Sequence, residues 1–93
     1  MLRQKFRMFT LVHIAKDLVD FSPDCGVDAI VGGTYSQLYG GNDIKNYQLY
    51  ILKNGKVVNL VAWYDEECLT KLPWQNKDWA EEALEDYHMK EEK

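Results

Sequence analysis

A chain of 93 residues is long enough for one small domain, and its 46% hydrophobic and 28% charged residues argue against a wholly disordered chain. No apolar run reaches the roughly 18–20 residues of a membrane span; the N-terminal stretch MLRQKFRMFTLVHIAKD, interrupted by Arg7 and Thr10, is not expected to act as a secretory signal, so the cytoplasm is the expected compartment. The net charge of −4 belongs to the end of the chain, where residues 78–93 hold seven acids against two bases (−5) while the other 77 hold eight acids and nine bases (+1); with no basic stripe, the sequence argues against nucleic-acid binding.

Residues 8–15 (MFTLVHIA) predict a first strand with apolar side chains on both faces. Residues 16–27 contain Ser22-Pro23-Asp24 and Gly26 and read as a long loop, which Leu18, Val19 and Phe21 would fold back onto the body. Residues 27–35 (VDAIVGGTY) predict a second strand, with Gly32-Gly33 as a bulge or sharp bend. Residues 36–45 (SQLYGGNDIK) read as a second loop, reversed by glycine, asparagine and aspartate.

The firmest element is a hairpin over residues 46–63. Asn54-Gly55 is a type I′ turn signal between strand-forming residues. A two-residue turn predicts that Leu52 faces Val57, Ile51 faces Val58, Leu49 faces Leu60 and Tyr47 faces Ala62. That register makes Tyr47, Leu49, Ile51, Val58, Leu60 and Ala62 the core face. Gln48, Tyr50, Leu52, Val57, Asn59, Val61 and Trp63 form an outer face too apolar to stay uncovered. Residues 65–68 (DEEC) suit one 3₁₀ turn and residues 69–72 (LTKL) a last strand, ended by Pro73. From residue 78 one helix is expected, opened by a capping-box-like Asp78 and Glu81. Its stripe of Trp79, Ala80, Ala83, Leu84 and Tyr87 must dock on something. The expected fold is mainly β: a small SH3-like β-barrel over residues 8–72 with one C-terminal α-helix over residues 78–93.

The strand LVHIAKDL, a loop ending in Cys25, and the stretches DAIVGGTYSQLYGGNDIKNYQLYI and VAWYDEECLTKL resemble a group of small bacterial SH3-like barrel proteins associated with phage, integron cassettes and other mobile elements. The resemblance covers residues 9–72, and GTYSQLYGGND and AWYDEECLT are its most specific parts. Two departures stand out: KFRMFT lacks a glycine-aspartate turn before the first strand, and the helix from residue 78 is an addition. The resemblance implies a barrel fold and a mobile-gene origin. The group carries no assigned activity, so no functional residue is transferred.

Signals for chemistry are sparse. Gly32-Gly33 and Gly40-Gly41 match no phosphate-binding loop. His13, Cys25, Cys68 and His88 stand at no ligand spacing, so no metal or cofactor is expected. The two cysteines are expected as free thiols, Cys68 as a small core residue. Cys25 and His13 lie on a loop and a strand that are neighbours, but Cys25 is read as a plain loop thiol, and Asp65, Glu66 and Glu67 are read as solvated caps of a turn. An enzyme is not expected.

The aromatic residues offer more. Tyr35 and Tyr39 flank the glycine-rich loop, and Trp63 and Tyr64 end the hairpin; together they are expected to line a groove for a protein or peptide, a proline-rich mode being one option. The competing role for these rings is to plug the core and the helix interface. The stripe of Trp79, Ala83, Leu84 and Tyr87, with Trp74 ahead of it, is expected to dock on its own barrel or to pair two copies as a homodimer. An alternative places the acidic outer face, Glu82, Glu85 and Asp86, against a basic or nucleic-acid-binding partner.

Overall fold

The computed structural model describes residues 5–15 and 27–91. Leu18, Val19, Phe21 and Cys25 of the first loop lie outside the described residues, as do Glu92 and Lys93. The strands are β1 (Leu11–Ile14), β2 (Asp28–Thr34), β3 (Asn46–Lys53), β4 (Lys56–Asp65) and β5 (Leu69–Lys71). Two helices accompany them, α1 (Tyr35–Tyr39) and α2 (Lys77–Glu91), and a 3₁₀ turn (Glu66–Cys68) joins β4 to β5. The architecture is mainly β. One antiparallel sheet runs in the order β4-β3-β2-β1-β5. Strands β4 and β5 are its two edges and do not pair with each other, so the sheet is not closed.

Both faces of the sheet are covered. Val12, Ile14, Ala29, Val31, Tyr47, Leu49 and Ile51 point to one face, where they pack with Phe6 and with Leu69 of β5, and with the partly buried Val61 and Tyr64 of β4. Because this cluster draws on both edge strands, the sheet curls around it. Phe6 lies before residue 8 yet is buried in this core; its N–H donates to the Tyr47 hydroxyl at 3.0 Å. The alternate residues Leu11, Ile30, Tyr50 and Leu52 point to the other face and pack against Ala80 and Leu84 of α2. That explains a first strand apolar on both sides: each of its faces has its own cover.

The hairpin register differs from the expected one. The turn forms as predicted, with Asn54 at φ 55° and Gly55 at φ 77°, and Leu52 faces Val57. Beyond that pair the strands slip. Ile51 faces Asn59, Leu49 faces Val61 and Tyr47 faces Tyr64, with irregularities between Ile51 and Leu52 and between Tyr47 and Leu49. Eight residues of β3 lie against ten of β4, so β4 carries two surplus residues, one at each irregularity. A single surplus residue moves every later side chain to the opposite face. Val58 and Leu60, expected in the core, are accordingly 51% and 36% exposed, while Val61, expected outside, joins the core. The Gly32-Gly33 bulge is present in β2, where the pairing with β3 shifts between Val31 and Gly33.

Two further expectations change. Residues 36–45 are not wholly loop, because Tyr35–Tyr39 form a helical turn. The C-terminal helix begins at Lys77 with Asn76 as its cap, in place of an Asp78–Glu81 box: the Asn76 side-chain oxygen accepts from the Trp79 N–H at 3.0 Å, and its carbonyl accepts from the Ala80 N–H at 3.0 Å. Gln75 ties this start to the sheet. Its oxygen accepts from the Leu11 N–H (2.8 Å), and its amide nitrogen donates to the carbonyls of Leu11 (2.7 Å) and Leu72 (3.0 Å).

Candidate functional site

Three of the four aromatic residues singled out in the sequence come together. Tyr35 and Tyr39 lie one helical turn apart on α1, with ring centroids at 5.1 Å. Trp63 of β4 meets Tyr35 at 5.1 Å and Tyr39 at 5.9 Å, both edge to face. Edge-to-face pairs add about 0.5–1.5 kcal/mol each beyond their burial, so the three rings hold one another in place. They remain partly in solvent: Tyr35 is 42% and Tyr39 68% exposed, and Leu38 of the same helical turn is 40% exposed. Tyr64 takes no part. It is the next residue along β4, so it points to the other face and packs in the core opposite Tyr47.

The platform under these rings is made of local hydrogen bonds. Thr34 caps α1 reciprocally with Gln37: the Thr34 hydroxyl accepts from the Gln37 N–H (3.1 Å), and the Gln37 side chain accepts from the Thr34 N–H (2.9 Å). The Ser36 N–H donates to the Asp43 carbonyl (2.8 Å), and the Ser36 hydroxyl donates to the Gly41 carbonyl (2.7 Å). Gly40 and Gly41 adopt φ 86° and 90°, which lets the chain reverse out of the helical turn. Asp43 then closes the loop onto β3, accepting from the Lys45 and Asn46 N–H groups and from the Asn46 side-chain amide. The Asn46 amide first, and the Lys45 N–H next, hold the Asp43 carboxyl below the ordinary aspartate range. The sequence carried a legible signal for α1, Thr34 followed three residues later by Gln37, which the glycine-rich context obscured.

The residues proposed for self-association have a different setting. Leu84 is buried, and Trp79, Ala83 and Tyr87 pack partly buried against the sheet of their own chain. The stripe therefore has a cover within one chain, and a second copy is not needed to bury it. Trp74 stays 51% exposed, with its ring 5.7 Å from that of Trp79. Glu82, Glu85 and Asp86 of α2 are exposed.

Other chemistry is thin. The His13 Nδ1 lies 2.9 Å from Asp28 Oδ1, a half-exposed pair beside Trp74 and Trp79 in a shallow cleft. Cys68 is a half-buried thiol in the 3₁₀ turn, and Cys25, the residue considered with His13, lies outside the described residues. Among the described residues no three His, Cys, Asp or Glu side chains gather as a metal site. No helix among them is long and apolar enough to cross a membrane. Comparison of the chain with protein-family models, with curated proteins and with solved structures returned no match.

Proposed function

We propose that the protein is a non-catalytic interaction module that binds a protein or peptide segment across Tyr35, Tyr39 and Trp63. The observation that carries this reading is the partial exposure of three mutually packed rings on a hydrogen-bonded turn. Such rings offer large apolar area with little conformational freedom to lose, which suits them to binding. Leu38 extends the apolar surface beside them. A proline-rich segment fits this chemistry, since its preformed extended helix docks on aromatic rings.

A mobile-element origin rests on the sequence resemblance alone, and the fold reading that accompanies the proposal is an SH3-like barrel. It is supported by five antiparallel strands in the order β5-β1-β2-β3-β4, by a curled sheet, and by the 3₁₀ turn leading into a short last strand. A second reading, a basic partner on the acidic face of α2, is favoured by the exposure of Glu82, Glu85 and Asp86.

The test is selection of displayed peptides on the full chain, followed by titration of the selected peptide against variants. Trp63→Ala and Tyr39→Ala are expected to weaken binding by about tenfold or more, and Trp74→Ala to leave it unchanged. Selection of nothing, or equal binding by all variants, would overturn the aromatic reading. Loss on Glu82→Gln with Asp86→Asn instead would favour the acidic one.

A further inference from the structure

Between α2 and the turn at Met8 and Phe9 lies a cleft of about 350 Å³ that the aromatic cluster does not touch. Its volume falls in the range of small-molecule sites, roughly 300–1,000 Å³. Phe9, Tyr50 and Leu84 give it apolar walls, and Gly32 of β2 contributes to its lining. A Cβ at Gly32 would stand 2.6 Å from Cε2 of Tyr50, so glycine is what lets the tyrosine ring lie against the strand. Phe9 is held at φ 69°, an uncommon conformation for a bulky side chain. The polar groups of the cleft are Glu81, Glu85 and His88, which recur along one face of α2, and among the described residues no lysine or arginine lines it.

We propose that this cleft binds a small organic cation, an ammonium group carried on an apolar arm. The chain's own Lys77 illustrates the chemistry at the edge of the cleft: its ammonium lies 6.0 Å from the Phe9 ring centroid and 3.9 Å from Glu81 Oε1. An aromatic face with a carboxylate beside it is the arrangement that attracts a desolvating ammonium. Lys77 accounts for Glu81. Glu85 has no base within ion-pair distance among the described residues, so one carboxylate of the cleft is left for an incoming charge. The apolar arm enters between Phe9, Tyr50 and Leu84, where it displaces water from apolar surface. The same carboxylates repel an anionic ligand with an identical arm.

The experiment is a chemical-shift titration of the full chain with hexylammonium, hexanoate and hexanol. Hexylammonium is expected to produce saturable shifts at the amides of Phe9, Gly32 and Glu85, and to bind about fivefold or more tightly than hexanoate. Glu85→Gln, on an exposed helical position, is expected to bring hexylammonium close to hexanol while leaving hexanol unchanged. Glu82→Gln, outside the cleft, is expected to leave both unchanged. Three results would overturn the proposal: no saturation, equal binding of hexanoate, or an equal loss in the two glutamate variants, which would reveal a diffuse attraction to the acidic helix. Trp63→Ala serves as the control for the aromatic cluster and is expected to have no effect here.

Discussion

Helix α1 has five residues and buries none of them, whereas α2 has fifteen and buries Ala80 and Leu84 against the sheet. The short helix is held by polar closures at its ends: the Thr34–Gln37 box, the Ser36 bonds and the Asp43 turn. The long one is held by apolar area, with Trp79, Ala83 and Tyr87 flanking its buried pair. A segment fixed by its backbone and caps keeps its side chains available, so α1 can present tyrosines to solvent. A segment fixed by burial uses its rings as fasteners. The difference separates the aromatic residues into those left partly in solvent and those committed to the fold.

The contrast is broken most severely at Leu84. Leu84→Ala should cost about 3 kcal/mol in urea unfolding, because it removes buried apolar volume and leaves a cavity. A loss under about 1 kcal/mol would mean that α2 does not depend on burial. Gly32→Ala comes next, at about 2 kcal/mol, since the new methyl group meets the Tyr50 ring on which α2 rests. Thermal unfolding measures it, with Tyr50→Leu added to relieve the clash as the control.

Thr34→Ala should cost about 1 kcal/mol and expose the Gln37 amide to faster hydrogen exchange, while Thr34→Ser restores both. Unaltered exchange at Gln37 would show that the cap does not hold α1. Tyr39→Ala should cost about 0.5–1.5 kcal/mol, the worth of its edge-to-face contact with Trp63, yet weaken partner binding, whereas Leu84→Ala should cost stability and leave binding by the folded chain unchanged.

The smallest effect is electrostatic. Asp43 has its carboxyl held below its ordinary value, so the folded loop binds the proton less readily than the unfolded chain. Its stabilising contribution is complete above the unfolded value of about 3.9 and is lost as pH falls through the lower folded value. The amide signals of Lys45 and Asn46 should therefore move together at a pH below about 3.9, and Asp43→Asn should remove that step. Movement at or above the ordinary aspartate value would contradict the role given to Asp43.

Much of the fold was legible wherever a local signal carried it. Asn54-Gly55 specified the hairpin turn because few residues tolerate positive φ at two consecutive positions. Gly32-Gly33 marked the bulge in β2, and the apolar stripe of α2 named its docking face before any partner for it was known. Of the four aromatic residues singled out, Tyr35, Tyr39 and Trp63 come together, and nearness to loop ends did not separate Tyr64 from Trp63.

The two irregularities of β4 had no such signal. They contain no glycine and no proline, and they arise because ten residues must run beside eight while the sheet curls around Tyr47, Leu49 and Ile51. The first exposes Val58 and Leu60, and the second restores the alternation, so that Tyr64 in place of Ala62 stands opposite Tyr47 and Trp63 reaches the tyrosines of α1. Residue order encodes backbone preference and periodicity, which act over one turn or one strand. Register beyond a bulge, the docking of α2 on its own sheet, and the meeting of rings 28 residues apart in sequence depend on how distant segments share one core, and they emerge when the chain closes around it.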